Sequence, residues 1–92
     1  MNQNIKDITV SIVDDDYEIR KMLALIIDRS PGFSCKQTYN DLETAIEAII
    51  KKPVNVILME INLPEMSGIE GGKILKEKLP STDFIMLTIQ ED

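Results

Sequence analysis

The sequence predicts a doubly wound α/β domain built on a parallel sheet. Four short apolar segments, rich in β-branched residues, alternate with three stretches whose apolar residues recur at helical spacing. That alternation implies right-handed crossovers and parallel pairing, with helices on both faces of the sheet. The third apolar segment has no polar face, as a central strand between helices requires. Acidic or hydroxyl residues close the first, third and fourth segments, and in doubly wound folds ligands sit beyond the carboxyl ends of the strands.

Ile8, Val10 and Ile12 alternate with Thr9, Ser11 and Val13 in a largely buried strand that stops at Asp14-Asp15-Asp16. Ile19, Met22, Leu23, Ile26 and Ile27 then mark a helix of about 13 residues, with Asp16 as its N-cap and Ser30-Pro31-Gly32 as its stop. A weaker strand runs from Phe33 to Tyr39. After Asn40-Asp41, Leu42, Ala45, Ile46, Ile49 and Ile50 share one face of a second helix, and Lys51-Lys52-Pro53 ends it, the lysines suiting the negative end of its dipole. Val54 to Met59 is the third strand, terminated by Glu60, and Leu63-Pro64 and Ser67-Gly68 mark a loop. The third helix runs from about Gly68 to Leu79 with Gly72, Leu75 and Leu79 inward. Its Gly71-Gly72 pair costs roughly 1 kcal/mol per glycine relative to alanine, so close packing on the sheet is the expected compensation. Pro80-Ser81 closes that helix, and Phe84 to Leu87 is a fourth strand ending at Thr88.

The 92 residues carry 10 Lys+Arg against 16 Asp+Glu, a formal charge of −6, and no histidine. With 43% hydrophobic and 28% charged residues the chain has the composition of one small folded domain. Basic residues scattered along an acidic chain argue against direct nucleic-acid binding by this domain. The single cysteine, Cys35, excludes an internal disulfide and is expected to be a small buried hydrophobe. No secretory signal opens the chain and no apolar run approaches the ~20 residues needed to span a bilayer, so a cytoplasmic domain with no membrane contact is expected. No histidine and one cysteine argue against zinc, haem or iron–sulfur chemistry and against His-dependent triads, leaving chemistry to carboxylates and hydroxyls.

If the first and third strands are neighbours, as in the order 2-1-3-4, Asp14, Asp15 and Glu60 converge at one sheet edge. Like charges so placed raise one another's pKa unless a cation neutralises them. An oxygen-only cluster favours Mg²⁺ or Mn²⁺. The same spacing equally fits acids that cap the first helix beside a solvated strand-end Glu60, and spacing alone leaves both accounts open.

Ile12-Val13-Asp14-Asp15-Asp16, the run from Ile57 through Glu60, Asn62 and Pro64 to Gly68, and Ile85-Met86-Leu87-Thr88 together resemble the receiver domain of two-component response regulators. The run from Glu60 to Leu79 is most similar to receivers that carry a C-terminal helix-turn-helix DNA-binding domain. The resemblance implies a flavodoxin-like fold over residues 1–92, with strand order 2-1-3-4 and the fifth strand missing. It also implies that Asp14 and Asp15 match the acidic pair that holds Mg²⁺, and that the Asn62 carbonyl matches the third protein ligand. Glu60 stands at the phosphoacceptor position, Thr88 matches the hydroxyl that bonds the phosphoryl group and moves on activation, and Pro64 and Gly68 match the turn that shapes the loop. A weak, dissociable Mg²⁺ site on Asp14, Asp15, Glu60 and Asn62 follows, with a sensor histidine kinase as the phosphoryl donor. The domain itself would not be an enzyme.

The chain departs from that family at two places. Glu60 replaces the aspartate, and the sequence stops before the family's lysine, aromatic switch residue and last strand. The extra methylene moves the carboxylate by roughly one bond length, enough to spoil in-line attack. Phosphoryl transfer should therefore be severely impaired, with Glu60 a partial mimic carrying one charge where an acyl phosphate carries closer to two. The fourth strand would be an open edge, so self-association through residues 83–92 is expected, with Pro80-Ser81 as hinge. Ile89 is bulkier than the residue often found there in the family and would narrow access to the site. A phosphorylation-independent interaction module is the alternative, and a fragment without activity is a third possibility.

Overall fold

In a computed structural model that describes residues 6–88, the chain runs β1 (Ile8–Val13), α1 (Tyr17–Arg29), β2 (Phe33–Tyr39), α2 (Leu42–Lys51), β3 (Val56–Glu60), β4 (Asn62–Leu63), β5 (Met66–Ser67), α3 (Gly68–Lys78) and β6 (Asp83–Leu87). The main sheet is parallel, in the order β2-β1-β3-β6. This is the expected order 2-1-3-4, because β6 is the fourth long strand. The stretch taken as plain loop after Glu60 contains an antiparallel pair of two-residue strands, Asn62 opposite Ser67 and Leu63 opposite Met66.

Each helix begins with a side chain that accepts an orphan backbone N–H. Asp16 accepts from Ile19 N at 3.1 Å, Asp41 from Thr44 N at 2.7 Å, and Ser67 from Glu70 N at 3.2 Å. Glu70 answers by accepting from Ser67 N at 3.3 Å, completing a capping box at α3.

The core lies between the sheet and the α2–α3 pair. Val13, Ile57 and Met59 meet Leu42, Ala45, Ile49, Leu75 and Leu79 there. On the other face Val10 and Ile12 are buried, and α1 packs over β1 and β2. That helix buries none of its residues, and Met22, Leu25 and Ile26 remain about half exposed. The expectation of a sheet covered on both faces is therefore met only in part among the described residues. β6 stands at the sheet edge with Ile85 55% exposed. No helix among the described residues is long and apolar enough to cross a membrane.

Two contacts fix the relative placement of the elements. At the amino-terminal end of β1 and β3, Thr9 and Asn55 form a reciprocal clamp. Thr9 N and Oγ1 donate to Asn55 Oδ1 at 2.9 and 3.0 Å, and Asn55 N donates to Thr9 Oγ1 at 2.9 Å. The glycines of α3 set its height above the sheet. A Cβ on Gly71 would lie 3.0 Å from Met59 Cε, and one on Gly72 would lie 3.1 Å from the Phe84 ring, which is the close packing their helix-propensity cost implied. Gly68 is tighter, since a Cβ there would lie 2.9 Å from the Ile61 carbonyl oxygen and 2.7 Å from its Cγ1. Backbone cannot yield as a side-chain tip can. Gly68→Ala is thus expected to destabilise the fold by about 1–3 kcal/mol, read as a lower midpoint in thermal or urea unfolding. A neutral or stabilising result would show that α3 can lift away from Ile61 at no cost.

Candidate functional site at the carboxyl edge of the sheet

Parallel pairing in register builds this site. Val13 pairs with Met59, so Asp14 follows β1 beside Glu60, the last residue of β3. Glu60 pairs in turn with Leu87, and Ile61 N donates to the Leu87 carbonyl at 2.8 Å, which sets Thr88 on the other side of Glu60. Asn62 opens β4 two residues further on. The topology thus brings all five sequence-predicted positions, Asp14, Asp15, Glu60, Asn62 and Thr88, to one edge.

The side chains there are differently engaged. Asp14 is buried, at 2% exposure, while Asp15 and Thr88 are exposed and Glu60 is half-buried. Asp14 Oδ1 accepts from Asp16 N at 2.9 Å, whereas its Oδ2 is buried with no hydrogen-bond partner among the described residues. Glu60 Oε2 accepts from Asn62 N at 3.3 Å, turning that carboxylate towards its own loop. No group of three or more acidic, His or Cys side chains close enough to hold a metal ion occurs among the described residues. Of the two accounts left open by spacing, helix capping is met at Asp16, while Asp14 is a separate buried carboxyl.

Burial pushes the Asp14 carboxyl above the ordinary carboxylate range; the Asp16 N–H opposes the shift, the charges of Asp15 and Asp16 add to it, and Arg20 opposes it. Arg20 is the residue that sequence reasoning undervalued. Its Nη1 donates to the Asp14 carbonyl at 2.8 Å, and its guanidinium carbon lies 5.6 Å from the centroid of the Tyr17 ring. Some positive charge therefore does face the acidic edge, and the signal for it was a basic residue one helical turn after Asp16. Ile89 lies outside the described residues, as do the last four positions of the segment expected to self-associate.

Elsewhere Cys35 is only partly buried, and burial with the Asp28 charge pushes its thiol up, away from the reactive thiolate. Met59 is fully buried, and Met66 and Met86 pack against the core, whereas Met22, on the apolar stripe of α1, is exposed.

The family model described as the response regulator receiver domain matches residues 10–92. The chain belongs to the response regulator receiver domain family. It is 31% identical over its whole length to the transcriptional regulatory protein DegU of Brevibacillus brevis, of which it spans 40%. It is 38% identical over 95% of its length to a protein-glutamate methylesterase/protein-glutamine glutaminase of Albidiferax ferrireducens, of which it spans 23%. Among solved structures, the response regulator domain of Thermotoga maritima CheB superposes with a TM-score of 0.80 at 35% identity, covering 90% of this chain and 61% of that one. The receiver therefore has the flavodoxin-like fold that its motifs implied. Membership of this family does not favour the phosphorylation-independent module. The relatives carry both transcriptional and methylesterase names, so the receiver does not by itself fix the output.

Proposed function

We propose that this receiver holds Mg²⁺ weakly at its carboxyl edge and does not accept a phosphoryl group on Glu60, whose fixed negative charge stands in part for the phosphorylated state. The observation that carries the reading is the parallel register that sets Glu60 between Asp14 and Thr88. A hard divalent cation suits the donor chemistry. Every candidate ligand is an oxygen, and Asp14 Oδ2, buried and without a partner, is the atom most in need of a cation or a proton. Asp14, Asp15, Glu60 and the Asn62 carbonyl would hold the ion, which when bound supplies charge neutralisation at the edge.

In this reading the domain acts in the cytoplasm, is addressed by a sensor histidine kinase, and serves a transcriptional output carried by another domain. Thr88 would meet a phosphoryl group or the Glu60 carboxylate, and its movement would bias the following segment. Titration with Mg²⁺, followed through backbone amide shifts, tests the site. Residues 14, 15, 60 and 62 should respond together at about millimolar concentration, as a weak site implies; silence at all four would remove the metal from the reading.

The open edge of β6 adds a partner expectation for the 92-residue chain. Among the described residues β6 lies at the end of the sheet, and with Ile85 55% exposed its outer margin favours pairing with a second copy. Light scattering across a concentration series should show mass rising above the 10.4 kDa monomer. A monomer at high concentration with slow amide exchange over 84–88 would show the edge already protected.

A further inference from the structure

We propose that a second recess, away from the carboxyl edge, binds a small anion bearing a phosphate group. It has a volume of about 490 Å³ and lies between the carboxyl half of α2 and strands β1 and β2. Small-molecule sites commonly occupy cavities of roughly 300–1,000 Å³. None of its lining residues belongs to the Asp14–Glu60 site.

Charge singles this recess out. Lys36, Lys51 and Lys52 all line it, together with Gln37 and Thr9, and no acidic residue does. Three of the ten basic residues of an acidic chain of net charge −6 are thus gathered by the fold at one place. The dipole of α2 accounts for Lys51 and Lys52, which sit at its negative end. It does not account for Lys36, on β2.

A β-bulge explains how Lys36 comes to be there. Val10 pairs with Cys35 and Ser11 with Gln37, so Lys36 is the extra residue in the ladder. Consecutive strand residues ordinarily point to opposite faces, and a bulge relaxes that alternation. It is the device by which Lys36 and Gln37, adjacent in sequence, line the same recess.

Ser11 supplies an independent observation. It lines the recess at 1% exposure, and its Oγ has no hydrogen-bond partner among the described residues. Buried hydroxyls are nearly always paired with protein, water or ligand. A phosphate group offers three acceptor oxygens, enough to engage several ammonium groups and a hydroxyl together, whereas a carboxylate offers two. Partly apolar walls from Tyr39, Ala48 and Val54 leave room for an organic body attached to the phosphate. The chain's overall negative charge disfavours a polymeric nucleic acid there.

The test titrates the full isotopically labelled chain, at constant ionic strength, with inorganic phosphate, pyrophosphate and adenosine monophosphate. Saturable amide shifts at Ser11, Lys36, Gln37, Lys51 and Lys52 are expected, with millimolar affinity for phosphate and about tenfold tighter binding of pyrophosphate or the nucleotide. Lys36→Ala, an exposed and structurally mild change, should weaken binding about tenfold. Ser11→Ala should weaken it about fivefold without lowering the melting temperature, because alanine leaves no orphan hydroxyl. The inference is overturned if shifts fail to saturate, if chloride alone reproduces them, if they map to residues 14, 15 and 60 instead, or if Lys36→Ala binds like the wild type.

Discussion

Incubated with acetyl phosphate and Mg²⁺, the wild-type chain is expected to gain no adduct of about 80 Da on Glu60. The reason is positional. Phosphoryl transfer demands near in-line approach of a carboxylate oxygen to within about 3–3.5 Å of phosphorus, and a misplacement of about 1 Å costs roughly 100-fold. Glu60 carries one methylene more than aspartate at the end of β3, and its Oε2 is turned onto the Asn62 N–H at 3.3 Å. Both features draw the oxygen away from the place a strand-end aspartate would put it. Glu60→Asp in the same chain should give a measurable adduct, about 100-fold or more above the detection limit set on the wild type, the difference reporting the misplacement. Intact-mass spectrometry with peptide mapping reads both numbers, and an adduct on wild-type Glu60 would falsify the proposal.

Asp14→Asn should abolish the Mg²⁺ response and, in metal-free buffer at neutral pH, raise the melting temperature. Asparagine keeps the Oδ1 acceptor that takes the Asp16 N–H at 2.9 Å, and it removes a buried charge whose other oxygen has no partner. Relief of an uncompensated buried charge is worth on the order of 1 kcal/mol, or ~4–8 °C for a domain of this size. The pH dependence follows from the sign of the shift. Asp14 is raised from an ordinary value of 3.8, chiefly by burial, so between that value and the raised one the unfolded chain has released a proton that the native state still holds. Stability therefore falls as pH climbs through that window, and it is fully retained below it. The asparagine variant should lack this fall, and Mg²⁺ should offset it in the wild type by binding the native state alone. Differential scanning calorimetry across pH, with and without Mg²⁺, decides it. A variant that melts lower at neutral pH, or that still shifts with Mg²⁺, would show that Asp14 is not the pivotal ligand.

How legible the molecule is in its sequence varies with the length over which a signal repeats. β1, α2 and β6 are each five to ten residues long and keep one period throughout, so their apolar pattern locates them to within a residue or so. The pair β4–β5 offers two residues a side, too few for any period, and its pairing depends on the turn at Pro64 and Glu65. For α1 the helix was legible and its burial was not. An apolar stripe states which face is sticky, while how much of it is covered depends on the breadth of its neighbour, here chiefly β1 and β2. At the site, the acidic positions and their convergence could be read from strand ends. The division of labour among Asp14, Asp15 and Asp16 could not, because it depends on the turn between β1 and α1 that buries the first, exposes the second and caps a helix with the third.

The clamp between Thr9 and Asn55 joins residues 46 apart in sequence. A ribosome adding ~5–20 residues per second separates those two side chains by roughly 2–9 s. For about the first two thirds of that interval the nascent β1 has no partner strand, because β2 is complete only at Tyr39; from then until β3 is made, one margin of its Val10–Val13 backbone stays unpaired. β1, one of the two inner strands, thus waits through the synthesis of β2 and α2 before both its margins can pair, and long-range closure onto β3 is expected to be a slow, aggregation-exposed step in making this protein.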